Sequence, residues 1–270
     1  MVRLSLKIAL LSLLLSNAFV KTAFSQEQIV YHELSKYSKW SFVAGPVIHN
    51  KAELTPQYGE LSFKNKPMLG FNAGILYDFY PDKKWSFQTG LIVAKEPIYS
   101  ISYTILNYDL YENYPGDLVD KYKSYALYTF SFPLILRLNL QTSRNAFTSL
   151  LIGFKAMYFP HGTSEYVYAI SSEELSDYRE IFGLKLESPK NSFQGSFLIG
   201  PAFSYSLDKF MLKTNIIYVM NFQNTFSGEY QFANLFTSPD TRGYYNLSGN
   251  YLGLLFSISF KKRNDNIKSS

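Results

Sequence analysis

From Trp40 onward the chain repeats one pattern eight times: a run of alternating large apolar and small or polar residues, closed by a connection. The runs are roughly Trp40 to Ile48, Met68 to Tyr80, Trp85 to Ser100, Tyr125 to Leu140, Ala146 to Phe159, Phe193 to Ser206, Phe210 to Phe222 and Asn250 to Phe260. A period of two sends successive side chains to opposite faces, so each run reads as a strand with two chemically different faces. The connections alternate in length. Long ones follow Ile48, Tyr103, Phe159 and Phe222, and very short ones span Pro81 to Lys84, Gln141 to Asn145 and Leu207 to Lys209. Short turns at one end and long loops at the other are the pattern of a transmembrane β-barrel. The expected fold is therefore all-β: an eight-stranded antiparallel transmembrane β-barrel with short periplasmic turns and long extracellular loops.

The composition of the two faces separates this reading from a soluble eight-stranded barrel. The fourth run places Tyr128, Phe130, Phe132, Leu134, Leu136 and Leu138 on one side, and Thr129, Ser131, Pro133, Ile135, Arg137 and Asn139 on the other. A lipocalin-like barrel needs Lys and Glu on its outer face to stay in solution. Here the polar face is Ser, Thr, Asn, Gln and Gly, which suits the crowded interior of a small barrel. Aromatic residues make up 18% of the chain and charged ones 17%, a balance explained by aromatic girdles at two membrane interfaces. Pro46, Pro133 and Pro201 fall inside strands, where each forfeits a ladder hydrogen bond, and they read as bulges or bends.

Residues 1–25 have the form of a signal peptide: basic Arg3 and Lys7, an apolar stretch from Ile8 to Leu15, then Ala23 and Ser25 at the cleavage positions. The expected organisation is a leader at 1–25, a short periplasmic segment at 26–39, the barrel at 40–260 and a periplasmic tail at 261–270. Losing Arg3, Lys7 and Lys21 would leave 23 basic against 21 acidic residues, so the high pI does not point to nucleic acid. Cysteine is absent, which removes disulfides and thiolate metal sites.

Strand parity turns Asp78, Glu96, Arg137, Lys155 and Lys213 toward the lumen. Unpaired buried charge is costly, so these residues are expected to form a network. Counting from the turns gives an inner cluster of Asp78, Arg137 and Lys213, and an outer pair of Glu96 and Lys155. Its expected role is to plug the barrel and hold its shape. The alternative is a proton or ion path.

Several local motifs resemble the Bacteroidota outer-membrane β-barrel family that includes PorT-like proteins. The most specific is Phe132-Pro133-Leu134-Ile135-Leu136-Arg137. Gly70-Phe71-Asn72-Ala73-Gly74, Gln88-Thr89-Gly90-Leu91, Gly200 with Pro201, and the Phe-ended last strand are also similar. The resemblance implies an outer-membrane barrel of structural or interaction type. It also implies outer-membrane lipid and secretion-apparatus proteins as partners, some relatives being implicated in type IX secretion. Ten residues follow Phe260, which departs from the family's terminal aromatic.

No phosphate-binding loop, two-His metal motif or other cofactor signature is present, so neither cofactor nor metal is expected. A lipid-modifying hydrolase or acyltransferase at the outer rim would have to draw on His49, His161, Ser164 and Glu165, whereas a small-solute pore would need an open lumen. Nothing resembles a nucleophile elbow, and no enzyme is expected. The long loops are rich in tyrosine, and Tyr108, Tyr111, Tyr114, Tyr166, Tyr168, Tyr178, Tyr244 and Tyr245 are candidate contact residues, since tyrosine gives large contact area at low entropic cost. The competing reading packs them against one another. Ser171 to Leu186 reads as a short helix capped by Ser171 or Ser172, with Glu173 and Glu174 in its first turn.

Overall fold

A computed structural model describes residues 32–110, 115–143, 145–171 and 178–262. The expected leader, Tyr111, Tyr114 and most of the tail lie outside the described residues. In chain order the strands are β1 (Trp40–His49), β2 (Glu53–Tyr58), β3 (Lys64–Asn65), β4 (Met68–Phe79), β5 (Trp85–Ile105), β6 (Leu118–Gln141), β7 (Ala146–Tyr158), β8 (Thr163–Ile170), β9 (Arg179–Glu187), β10 (Phe193–Ser206), β11 (Phe210–Asn221), β12 (Phe226–Phe232), β13 (Thr241–Leu247) and β14 (Tyr251–Phe260). Two single-turn helices are α1 (His32–Ser35) and α2 (Asn107–Leu110).

Eight of these strands form a closed antiparallel barrel in the order β5-β4-β1-β14-β11-β10-β7-β6, with β6 returning to β5. They are the eight runs of the sequence, most with ends shifted by one residue at most, but β5 runs five residues past Ser100 and β6 begins seven before Tyr125. Closure is what lipid demands, because backbone N–H and C=O groups facing hydrocarbon have no water to bond. The outer wall is correspondingly apolar: Phe42, Leu69, Ile75, Leu91, Leu134, Phe154, Phe203, Leu212 and Phe256 are all exposed. Aromatic rows flank this belt, with Trp40, Phe79, Trp85, Tyr205 and Phe260 toward the short turns and Tyr128, Tyr158, Phe193 and Phe222 toward the long loops. A closed sheet with an apolar belt between two aromatic girdles is an outer-membrane barrel.

The prolines do not make bulges. Register is unbroken past Pro46 opposite Phe71, Pro133 opposite Lys155 and Pro201 opposite Leu150. Each Pro instead sits beside a short gap in the ladder to its other neighbour, and the register on either side of that gap is the same. Glycine makes two of these gaps possible. A Cβ on Gly45 would stand 2.0 Å from the Leu254 carbonyl oxygen, and one on Gly200 would stand 1.9 Å from that of Ile216. The strands therefore close up where the proline has removed a donor.

The long connections carry a second folded layer that the alternation does not announce. β2, β13, β12, β9 and β8 form a separate five-stranded sheet. β5 and β6 run on past the barrel as one hairpin, paired from Trp85 opposite Leu138 to Ile105 opposite Leu118, and shift register on either side of Pro97. β3 adds to the hairpin's edge. The two sheets bury an aromatic core between them: Tyr103 lies 4.5 Å from Phe182 and 5.7 Å from Phe232, and Phe63 lies 5.1 Å from Tyr230, measured between ring centroids. The expected helix over 171–186 is corrected by this sheet. Arg179 to Leu186 is strand, because Ile181, Phe182, Leu184 and Leu186 find an apolar core to fill, while Glu173 and Glu174 lie outside the described residues.

Replacing Gly200 with Val should abolish the close strand approach. We expect a loss of about 3 kcal/mol or more in urea unfolding in detergent micelles, read from the folded gel band.

Candidate functional site: a layered lumen beneath a folded head

Inward side chains sort into three layers along the barrel axis. The layer nearest the short turns contains the inner cluster. Lys213 Nζ donates to Asp78 Oδ2 at 2.5 Å, and Gln88 Nε2 donates to Asp78 Oδ1 at 2.8 Å. Arg137 lies beside them, and Asn139 links Ser86 and Ser149. All of these side chains are buried. The three charges expected at this level are thus brought together.

Above them Val43, Val47, Leu76, Ile135, Leu151, Leu198, Ile217 and Leu255 fill the middle of the lumen with hydrocarbon. Val47 and Val219 have no exposed surface at all. The small polar residues expected inside are there, Ser86, Ser149, Ser196 and Ser257 among them, but they gather toward the two ends, and the middle is mostly hydrocarbon, with buried Asn215 set opposite Leu255 and Ala202.

The outer layer joins Asn72, Lys155 and Tyr251. Asn72 Nδ2 and Lys155 Nζ both donate to the Tyr251 hydroxyl at 3.3 Å, and Lys155 stands 4.9 Å from the ring centroid. Glu96 and Lys155 share this layer, but the partner nearest Glu96 is His49, whose Nδ1 lies 3.6 Å from Glu96 Oε2. His49 was expected beyond the strand end, at the rim. It is the last residue of β1 and points inward, because the β1 alternation that buries Val43 and Val47 continues to it. His161 is exposed after β7, with Nδ1 3.0 Å from the Ser188 carbonyl oxygen. The structure does not assemble His49 with His161, Ser164 and Glu165.

The short-turn mouth is covered by the segment that precedes β1. Leu34 and Tyr37 pack on Phe147 and Met211. The Tyr37 hydroxyl lies 2.5 Å from Ser206 Oγ and donates to the Leu207 carbonyl at 2.6 Å. Between this cover and Arg137 remains a cavity of about 20 Å³, room for about one water.

In the head, the candidate contact tyrosines divide. Tyr245 is buried and donates to the Ile98 carbonyl at 3.0 Å. Tyr166 and Tyr103 both donate to Asp120 Oδ2, and burial pushes both phenols well above their ordinary range. Tyr168 lies against Tyr103. Tyr245 is a core residue of the head and Tyr166 and Tyr168 pack half-buried against that core, as the competing reading had it. Tyr108, Tyr178 and Tyr244 are exposed.

A clamp that the sequence did not suggest joins two of the loops. Asp109 Oδ1 accepts from the backbone N–H of Thr237 at 3.2 Å and of Ser238 at 2.8 Å, and Oδ2 accepts from Ser238 Oγ at 2.9 Å. The Phe236 N–H donates to the Asp109 carbonyl at 2.9 Å. Arg179 reinforces the joint, lying 4.7 Å over the Phe236 ring and donating to the Leu110 carbonyl. Burial raises the Asp109 carboxyl, but the backbone N–H and side-chain hydroxyl groups of Thr237 and Ser238, four donors in all, outweigh that and hold it below the ordinary range.

Two outcomes follow from this arrangement. Lys213→Ala should cost about 3–5 kcal/mol in denaturant unfolding, since it strands a buried carboxylate; a Lys213→Met, Asp78→Leu double variant should recover most of that. Because the Asp109 value is depressed on folding, the clamp contributes fully above the ordinary Asp value of about 4 and is lost as pH falls through the folded value. Amide exchange at Thr237 and Ser238 should therefore accelerate relative to the barrel strands at acid pH, and Asp109→Asn should show that acceleration at neutral pH.

No protein-family model matches the chain, and no curated protein does. Among solved structures, the outer membrane protein OprG from Pseudomonas aeruginosa aligns with 84% of this chain and 98% of its own at 10% identity and a TM-score of 0.37. The P. putida toluene transporter TodX aligns with 84% and 91% at 8% identity and a TM-score of 0.26. The barrel assignment rests on this chain's own closed strand order and apolar belt.

Proposed function

We propose that this chain is a non-conducting outer-membrane barrel that anchors a folded extracellular head and presents it to a protein partner, in a structural rather than a catalytic role. The observation that carries this reading is the occupied lumen: two hydrogen-bonded polar layers, a hydrocarbon layer between them and a covered inner mouth. A solute-pore role finds no support in such an interior. His49 lies in the lumen against Glu96, whereas His161 and Ser164 line one notch beside the head, with the His161 ring held on the Ser188 carbonyl; a rim hydrolase or acyltransferase would have only that pair to draw on.

A PorT-like role in type IX secretion is the more specific version, and the Phe132 to Arg137 motif supports it by resemblance. Most of that motif's inward residues serve the barrel itself, Ile135 in the apolar layer and Arg137 in the inner charged layer. Recognition would then fall to the head, where Tyr108, Tyr178 and Tyr244 are the exposed candidate tyrosines among the described residues.

Planar bilayers containing the full chain should show no unitary current steps, and well-resolved steps would remove the anchoring role. In cells, deletion of the chain should reduce export of type IX cargo, and a Tyr178→Ala, Tyr244→Ala variant with an intact heat-shifted band should restore less export than the original. Export unchanged by the deletion would end the secretion version and leave the anchor standing.

A further inference from the structure

β6 pairs with β7 only as far out as Phe130 opposite Tyr158. Beyond that point β6 continues alone into the head hairpin, and the chain at 159–164 passes beside it. A notch of about 240 Å³ lies between them, walled by Ile98, Tyr125, Phe159, Pro160 and Phe226, with Gly162 at its lip. It sits level with the outer aromatic girdle, where Tyr128 and Tyr158 end the apolar belt. Its wall is mostly apolar, with His161, Thr163 and Ser164 completing it on the side of the passing chain.

The surface next to the notch is basic. Lys95 pairs across the sheet with Tyr128 and holds its ammonium 4.9 Å from the Tyr125 ring centroid. Farther out, Lys123 stands opposite Ser100, while Lys121 and Lys64 stand on the two sides of Ser102. Cross-strand partners share a face, so Lys64, Lys121 and Lys123 line one side of the hairpin. From the level of Lys95 to that of Lys123 is five residues, or ~17 Å along the strand. All four lysines are exposed, and among the described residues none is within ion-pair distance of a carboxylate. Elsewhere around the same rim the exposed residues are mixed, with Lys51 near Ile48, Lys66 near Leu69 and Lys190 near Phe193, and none of these lysines borders the notch.

We propose that this notch and its lysine ladder bind one phosphoglycolipid of the outer leaflet, of the lipid A type. An acyl chain enters the notch, a phosphate lies against Lys95, and the anionic sugar head group runs outward along Lys123, Lys121 and Lys64. Lysines at an interface extend their ammonium groups to lipid phosphates while their stems cover apolar surface. The site is separate from the exposed head tyrosines and does not depend on the head having a protein partner.

The test is native mass spectrometry of the full chain in a non-ionic detergent, titrated with diphosphoryl lipid A. One adduct per barrel is expected. Lys95→Gln with Lys123→Gln should weaken it at least about tenfold, as expected when two lysines are lost from an anionic surface. Gly162→Phe, whose side chain enters open space at the lip of the notch, should weaken it comparably. Inorganic phosphate in equal excess should not displace the lipid. Binding of fully dephosphorylated lipid A with unchanged affinity would overturn the lysine contacts. Full affinity in Gly162→Phe would overturn the notch, and displacement by inorganic phosphate would reduce the site to a simple anion patch. Each variant is scored with its heat-shifted band intact, and Thr163→Phe fills the same notch should Gly162→Phe fail to fold.

Discussion

Everything in this molecule depends on the pairing of β5 with β6, which turns an open sheet into a closed one. Without it, two strands would offer rows of unpaired N–H and C=O groups to hydrocarbon, each costing several kcal/mol. The same two strands are the longest in the chain, at 21 and 24 residues. Their surplus length is the floor on which the extracellular head is built, and Pro97 marks the level at which barrel geometry gives way to head geometry. One hairpin thus meets two demands, closure in lipid and a foundation in water.

The lumen shows how a narrow barrel carries charge in its interior. Asp78 is compensated by Lys213, Gln88 and the nearby Arg137, and the hydrocarbon layer above isolates that group from Lys155, Glu96 and His49. A continuous polar file from mouth to mouth would need the middle layer to be wet. With Val47 and Val219 sealed by their neighbours, the polar layers act as two separate braces.

The barrel was legible in the sequence because lipid forces a strict period of two over long runs, and eight repetitions of that pattern leave few alternatives. The inner cluster was legible for the same reason: parity and distance from the turns place Asp78, Arg137 and Lys213 together. The apolar layer was not, because each strand contributes only one or two residues to it, and Leu76, Ile135 and Leu198 line up only once register is known. The head sheet escaped notice for a different reason. Its strands are short, and β9 buries Ile181 and Phe182 in succession, which breaks the alternation just where paired serines and glutamates suggest a helix. Tertiary pairing decided that segment. The Asp109 clamp left no signal, since its donors lie some 128 residues away in the chain.

The uninterrupted run of β5 and β6 from barrel to head also determines how the molecule bears force. A partner that tugs on the head does not stretch a tether. The two arms carry the pull side by side past Pro97 into the membrane wall, where it shears the ladders that β5 makes with β4 and β6 makes with β7, so that many bonds share the stress at once. The head is a stiff mast stepped through the deck.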